Sequence, residues 1–213
     1  METQKSQKAL VIVTGGPGTG KSYAAAKIKE AIPGLTTISY DEIKEREFDR
    51  FGFDNEKEKE RLNWFSLEEF YLTLRYHMWL EEDIMIEYPF YQRHRERLAE
   101  LIEDYGYQAV TVYLYGDWRV IYERGVNRDR GENRHLGHLT TRYHKGVTQK
   151  DENFVPDTFM TYEEFRRALD VKNYDICLGY NIPVDITDFS KVDYRAVAKE
   201  ICEQIGIKII DIC

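Results

Sequence analysis

Apolar residues are arranged along this chain in two ways: short unbroken runs, and longer stretches in which they return every three or four positions. Lys8 to Thr14 holds Ala-Leu-Val-Ile-Val with no polar alternation, as in a central parallel strand covered on both faces. A helix is expected from Gly20 to about Ala31, stopped by Pro33-Gly34. Thr36 to Ser39 reads as a short second strand ending at Tyr40-Asp41, and Asp41 is a suitable N-cap for a helix opening at Glu42-Ile43. Ser66-Leu67-Glu68-Glu69 has the form of a capping box. The recurrence of Leu67, Phe70 or Tyr71, Leu74 and Met78 then predicts a buried helix, with His77 and Trp79 as packing residues. Asp83 to Tyr88 reads as a third strand finishing at Glu87, Tyr91 to Tyr105 as a helix, and Gln108 to Tyr115 as a fourth strand, after which Asp117 caps another helix. A second capping box, Thr161 to Glu164, puts at least one helix in an insert spanning 145 to 180. Val184 to Thr187 is the expected fifth strand. Ser190 to Asp193 opens a last helix with a Val197, Ile201, Ile205 stripe, ended by Gly206. The terminal IKIIDIC reads as an edge strand or as an oligomer contact, which leaves a homodimer open.

Strands alternating with helices predict an α/β fold with a mainly parallel sheet. No stretch rich in Pro, Gly or Ser divides the 213 residues, so one domain is expected over 1–213. No apolar run reaches the ~18 residues needed to cross a bilayer. The opening METQKSQK runs straight into the first strand without the form of a signal peptide, so a cytoplasmic protein is expected. Cys177, Cys202 and Cys213 lack metal-like spacing and read as reduced thiols. A formal net charge of −8 works against a protein built mainly to hold a polynucleotide backbone, although it leaves room for a local basic site. EKEKER, at 56–61, reads as the solvated face of a helix or as a charged loop.

Chemistry enters where the first strand breaks into glycines. Gly15, Gly16, Pro17, Gly18, Thr19, Gly20, Lys21 and Ser22 fit G-x-x-x-x-G-K-[ST] between a strand and a helix. The glycines let the backbone N–H groups curl around phosphate oxygens, and the helix that follows through Tyr23 adds the positive end of its dipole. Lys21 is expected to reach the β- and γ-phosphates of a nucleoside triphosphate, and Ser22 to hold Mg²⁺. Ligands of open α/β sheets lie beyond the carboxyl ends of the strands. Asp41 is therefore a candidate to accept the proton of an attacking hydroxyl, besides being a cap, and Glu87 a candidate to order Mg²⁺. Lys44, one turn after Asp41, either meets an anionic substrate group or is solvated. Arg93 lies near the end of the third strand, where it could touch a substrate. Six arginines lie between 119 and 142, on a segment containing Gly125, Gly131 and Gly137, which suits a mobile lid over phosphates. Arg124 and Arg128 fall on one helix face, and Arg128, with Arg134 as the alternative, is placed to neutralise transition-state charge. His135, His138 and His144 have no Cys nearby, which argues against a closed zinc set.

Taken in order, VIVTGGPGTGKS, YDEIKEREFDRFG, IMIEYPF, ERGVNRDRGENRHLGH and VDITDFSKVDY resemble the P-loop kinase-like family of small bacterial ATP-binding proteins, relatives of chloramphenicol phosphotransferase, the zeta toxins and the phage polynucleotide 5′-kinase. The resemblance covers nearly the whole chain. It implies a three-layer α/β/α P-loop NTPase sandwich with a central five-stranded sheet and a helical, Arg-rich lid and insert over about 119–180. It also implies an ATP- and Mg²⁺-dependent kinase with Asp41 as general base, Arg124 near the adenine and Arg128 on the transferring phosphoryl group. The acceptor is expected to be a small-molecule hydroxyl on a nucleoside, a sugar or polyol, or an antibiotic-like compound. The alternatives are a polynucleotide 5′-hydroxyl kinase and an ATPase module without an acceptor. Two positions depart from the pattern: Lys44 stands where polynucleotide kinases of this type tend to carry arginine, and Glu87 where many relatives have Asp.

Overall fold

The computed structural model describes residues 8–131, 134–150 and 154–206. Its centre is a five-stranded sheet in the order β2-β3-β1-β4-β5, built from β1 (Ala9–Gly15), β2 (Thr36–Ser39), β3 (Ile84–Glu87), β4 (Gln108–Tyr115) and β5 (Tyr180–Asp185). Every pairing is parallel. The unbroken apolar run of β1 follows from its place between β3 and β4, because both of its faces are covered. Val11 and Val13 pack with α1 (Lys21–Ala31), α5 (Trp118–Arg130), α6 (Tyr162–Lys172) and α7 (Tyr194–Ile205) on one side. Leu10 and Ile12 pack with α2 (Tyr40–Phe51), α3 (Glu56–Trp79) and α4 (Gln92–Tyr105) on the other. This is the expected three-layer sandwich. The chain leaves β1 toward β2 and later returns to its other flank as β4, which makes the carboxyl end of β1 the switch point where such sheets bind ligands.

Several boundaries differ from the sequence expectation, each for a local reason. Ser39, not Asp41, caps α2: its hydroxyl accepts the Glu42 N–H at 3.3 Å, and Asp41 lies inside the first turn. The Ser66 box opens nothing, because α3 has already begun at Glu56, capped by Asn55, and the Ser66 hydroxyl donates instead to the Leu62 carbonyl. EKEKER is thus the first turns of that helix. Trp79, expected in the core, is 70% exposed at its end. Strand β5 starts four residues before the predicted Val184. A short 3-10 turn, Phe189–Lys191, separates Ser190 from α7, which Asp193 caps. The expectation for IKIIDIC falls at 207–213, outside the described residues.

A small satellite core lies away from the sheet. Phe48 of α2 and Phe53 just beyond it pack against Tyr143, with Leu62 and Leu136 around them, and Phe53 and Tyr143 form an isolated antiparallel bridge. The segment from 134 to 145, which follows the arginine-rich α5, is therefore docked on α2 and α3. Phe48→Ala is expected to remove about 3–5 kcal/mol of stability in urea unfolding. It should also expose the 134–145 segment to limited proteolysis before the sheet unfolds.

Candidate active site

The phosphate-type loop begins where β1 ends, and its backbone demands glycine. Gly18 and Gly20 have φ of +85° and +77°, a left-handed region costly for residues with a Cβ. A Cβ on Gly20 would also lie 2.8 Å from the Phe189 ring. The turn delivers Lys21 into the first turn of α1, almost wholly buried, with Nζ donating to the Gly16 carbonyl at 3.0 Å. Burial lowers the Lys21 pKa to about 8, even though the Glu87 and Asp41 carboxylates pull it back up.

Ser22, next on α1, places its hydroxyl 3.3 Å from both carboxylate oxygens of Glu87. Glu87 is held from its other side by Ser39, whose hydroxyl donates to Oε1 at 2.7 Å. Register explains the meeting: Glu87, the last residue of β3, pairs with Ser39 of β2 and with Val13 of β1. Burial raises the Glu87 pKa above the usual carboxylate range, against the serine hydrogen bonds and the Lys21 charge. A hydroxyl beside a carboxylate is the all-oxygen donor set that Mg²⁺ prefers. Among the described residues no group of three or more His, Cys, Asp or Glu is placed to hold a metal, so a cation here would take its remaining ligands from phosphate and water.

Asp41 projects from the first turn of α2. Lys44, three residues on, is buried and reaches the Asp41 carboxylate at 2.7 Å, lying 5.1 Å from the centres of both the Tyr40 and Tyr88 rings. The solvated alternative for Lys44 is thereby replaced by an ion pair. Arg134 approaches the other Asp41 oxygen at 3.8 Å. Burial alone would raise the Asp41 pKa, but Lys44, His138 and Arg134 outweigh it and hold the carboxyl well below its usual range.

Arg134 owes its position to the docked segment. Asp41, Glu45 and Asp49 recur every four residues along one face of α2. Beside Arg134 on Asp41, His138 meets Glu45 at 2.8 Å, and His135, Tyr143 and Lys145 converge on Asp49 at 3.1, 2.5 and 2.6 Å. Burial drives the His138 pKa to about 4 despite Glu45, so at neutral pH it is an uncharged donor. Burial would raise Asp49, yet its three donors lower it to about 2. His144 rests on Asp54 at 3.1 Å. The three histidines of this region are thus pins between chain segments.

The remaining arginines divide. Arg124 donates to the Ile186 and Thr187 carbonyls and stacks on Phe189 at 4.1 Å, and the Tyr23 ring lies 6.1 Å from that of Phe189, tilted against it. Arg128 is paired with its neighbour Asp129 at 2.6 Å. Gly18, Gly20, Lys21, Ser22 and Tyr23 share one cavity of about 310 Å³ with Asp41, Arg124, Arg128, Arg134 and Phe189. Arg93 instead lies over Tyr91, 4.8 Å from its ring centre, and does not line that cavity. Sequence reasoning missed Ser39, the acidic face of α2 and the pinning histidines. Ser39-Tyr40-Asp41-Glu42 is itself an S-x-x-E signature, and the four-residue spacing of Asp41, Glu45 and Asp49 was readable.

Known structures share this architecture. A "putative kinase" from Chloroflexus aurantiacus J-10-fl superposes with a TM-score of 0.73 at 21% identity, covering 94% of this chain and 99% of its own. A gluconokinase from Sinorhizobium meliloti 1021 does so at 0.54 and 14%, covering 95% and 94%. A shikimate kinase from Acinetobacter baumannii, solved with shikimate, gives 0.51 and 14%, covering 94% of each. At these identities the likeness is one of fold. No curated protein matches the sequence. No helix among the described residues is long and apolar enough to cross a membrane. The family model described as AAA domain (AAA_33) matches residues 10–149, from the first strand through the docked histidine segment, and the chain therefore belongs to that P-loop family.

Proposed function

We propose that the protein is a cytoplasmic, ATP-dependent phosphotransferase that moves the γ-phosphoryl group of ATP to a hydroxyl of a small molecule. The observation that carries the reading is that Asp41 and Arg134 line the same cavity as Lys21 and Ser22. A carboxylate for an acceptor hydroxyl and cations for a polyphosphate thus open on one space.

Gly15 to Gly20 would cradle the phosphates through backbone N–H groups, with Lys21 releasing the Gly16 carbonyl to meet the β- and γ-oxygens. Arg124 and Phe189, with Tyr23 beside them, would border the base. Mg²⁺, when bound, would be held by Ser22 with Glu87 beside it and would neutralise phosphate charge. The acceptor oxygen forms its bond to phosphorus as the bond to the bridging oxygen breaks and ADP leaves. Asp41 first orients the acceptor hydroxyl by accepting its hydrogen bond and then takes its proton. Because Lys44, His138 and Arg134 keep Asp41 strongly acidic, its larger contribution is orientation, and proton transfer comes late, when the attacking oxygen is already bonded to phosphorus. Arg134, held beside Asp41, is the better-placed arginine for transition-state charge, whereas Arg128 must first leave Asp129.

Asp41→Asn is expected to lower phosphoryl transfer by about 10²–10⁴ while nucleotide still binds. Arg134→Ala should lower transfer by about 10³–10⁵, and Lys21→Ala should lose both binding and transfer. Labelled γ-phosphate offered with nucleosides, sugars, polyols, aminoglycosides and amphenicols measures this directly. If no compound is labelled while ATP is hydrolysed at full rate, the proposal fails. A second measurement concerns pH. Free Lys21 loses its proton above about 8, whereas a bound triphosphate favours the ammonium, so ATP affinity should fall up to about tenfold per pH unit above that value. Calorimetry in buffers of different ionisation enthalpy should show the accompanying proton uptake.

A further inference from the structure

The exposed face of α3 has no role in the site just described. Phe65, Leu72, Tyr76 and Trp79 recur at helical spacing along it, and Leu72 and Trp79 are 62% and 70% exposed. Large apolar side chains aligned on one face mark an interaction surface, unlike apolar residues scattered singly. The stripe runs between two ion pairs that fasten α3 to its neighbours, Glu68 with Arg97 of α4 and Glu69 with Arg46 of α2. At its N-terminal end an open groove of about 400 Å³ is lined by Phe51, Leu62, Trp64 and Phe65 together with Gly52 and the charged Glu58 and Arg61.

We propose that this face is the interface of a homodimer, in which the α3 helices of two copies cross antiparallel about a two-fold axis at Leu72. The face is complementary to itself under that operation. Phe65 lies seven residues before Leu72 and Trp79 seven after, so the axis sets the Trp79 of each copy over the groove beside Phe65 of the other. With a rise of about 1.5 Å per residue, each of these knob-and-groove contacts lies about 10 Å from the axis. The charges agree as well. Glu68 and Arg75 stand on the same flank of the stripe, four residues before and three after Leu72, so each Arg75 faces a Glu68 across the interface. Arg75 has no acidic partner among the described residues, while the Glu68 carboxylate is about a third exposed. A two-fold contact satisfies both copies with one surface and closes without leaving a sticky edge. Tryptophan buried in a partner's groove is the kind of anchor that dominates such interfaces. Neither Asp41 nor the glycine loop is covered, so the dimer is compatible with any reading of the site.

The test is the mass of the full chain by light scattering after size exclusion, from about 1 to 100 μM. The wild type is expected to be a dimer in this range. Leu72→Glu, which sets two carboxylates against each other on the axis at a solvent-exposed position, should give a monomer with unchanged circular dichroism. Trp79→Ala should raise the dimer dissociation constant at least about tenfold. Register is read by oxidative cross-linking in a Cys177→Ser, Cys213→Ser background. Leu72→Cys should link two copies readily, whereas Leu80→Cys should not, because its two copies would stand about 24 Å apart. A wild-type monomer at 100 μM, including one that binds some other partner through this face, overturns the proposal. So does a dimer indifferent to Leu72→Glu, or equal linking at both positions.

Discussion

A buried carboxylate needs hydrogen-bond donors, and the way Glu87 obtains them sets the layout of the sheet edge. Its donors are the hydroxyl of Ser39, at the junction of β2 and α2, and that of Ser22, in the first turn of α1. Three consecutive pieces of the fold therefore meet at one side chain. The Ser39 hydroxyl is engaged twice, donating to Glu87 and accepting the Glu42 N–H. The start of α2, and with it the direction of Asp41, is fixed relative to the glycine loop by a pair of short polar contacts. Proximity of this kind is what phosphoryl transfer asks of a protein, since positioning and charge account for most of the catalysis.

The second constraint is electrostatic. Cations gather around the cavity: Lys21, Lys44, Arg128 and Arg134 stand among the carboxylates of Asp41, Glu87 and Asp129, and the pKa values of Lys21 and Arg134 are lowered by burial and by their positive neighbours. Mutual repulsion among these cations makes the cavity a favourable environment for an anion. The Arg134 Nε is buried with no hydrogen-bond partner among the described residues, another sign that the cluster is incomplete by itself.

Much of the fold was legible because its signals are local. The unbroken apolar run of β1, the glycine spacing and the stop at Pro33-Gly34 each act within a few residues. Where reading failed, two local signals competed or the answer was tertiary. Ser66 matched a capping box by type and spacing, yet the helix had already started eleven residues upstream of Leu67, and nothing in the box itself could reveal that. Trp79 was read into the packing stripe, but it follows Phe65 and Leu72 at seven-residue steps on the face opposite Phe70, Leu74 and Met78, which leaves its ring in water. Within the candidate site, the glycine motif and the strand-end positions of Asp41 and Glu87 were readable in the sequence, and the structure brings Asp41 into one cavity with Lys21 and Ser22 and sets Glu87 beside Ser22. The approach of Arg134 to Asp41 and the pairing of each histidine with a carboxylate depend on a segment more than eighty residues away in sequence, whereas the ion pair of Lys44 with Asp41 is a local contact within α2.

That segment changes what the word lid can mean here. Arg124 is tied to the loop after β5, whereas Arg134 is tied, through the Glu45 and Asp49 pins, to the same helix that carries Asp41. The acid and its arginine form one cassette, tied to a different part of the chain from the Arg124 and Phe189 wall. A change in α2 that shifts the Asp41 carboxylate carries its counter-charge along. The Asp41 side of the cavity can therefore be remodelled while the Arg124 side stays as it is.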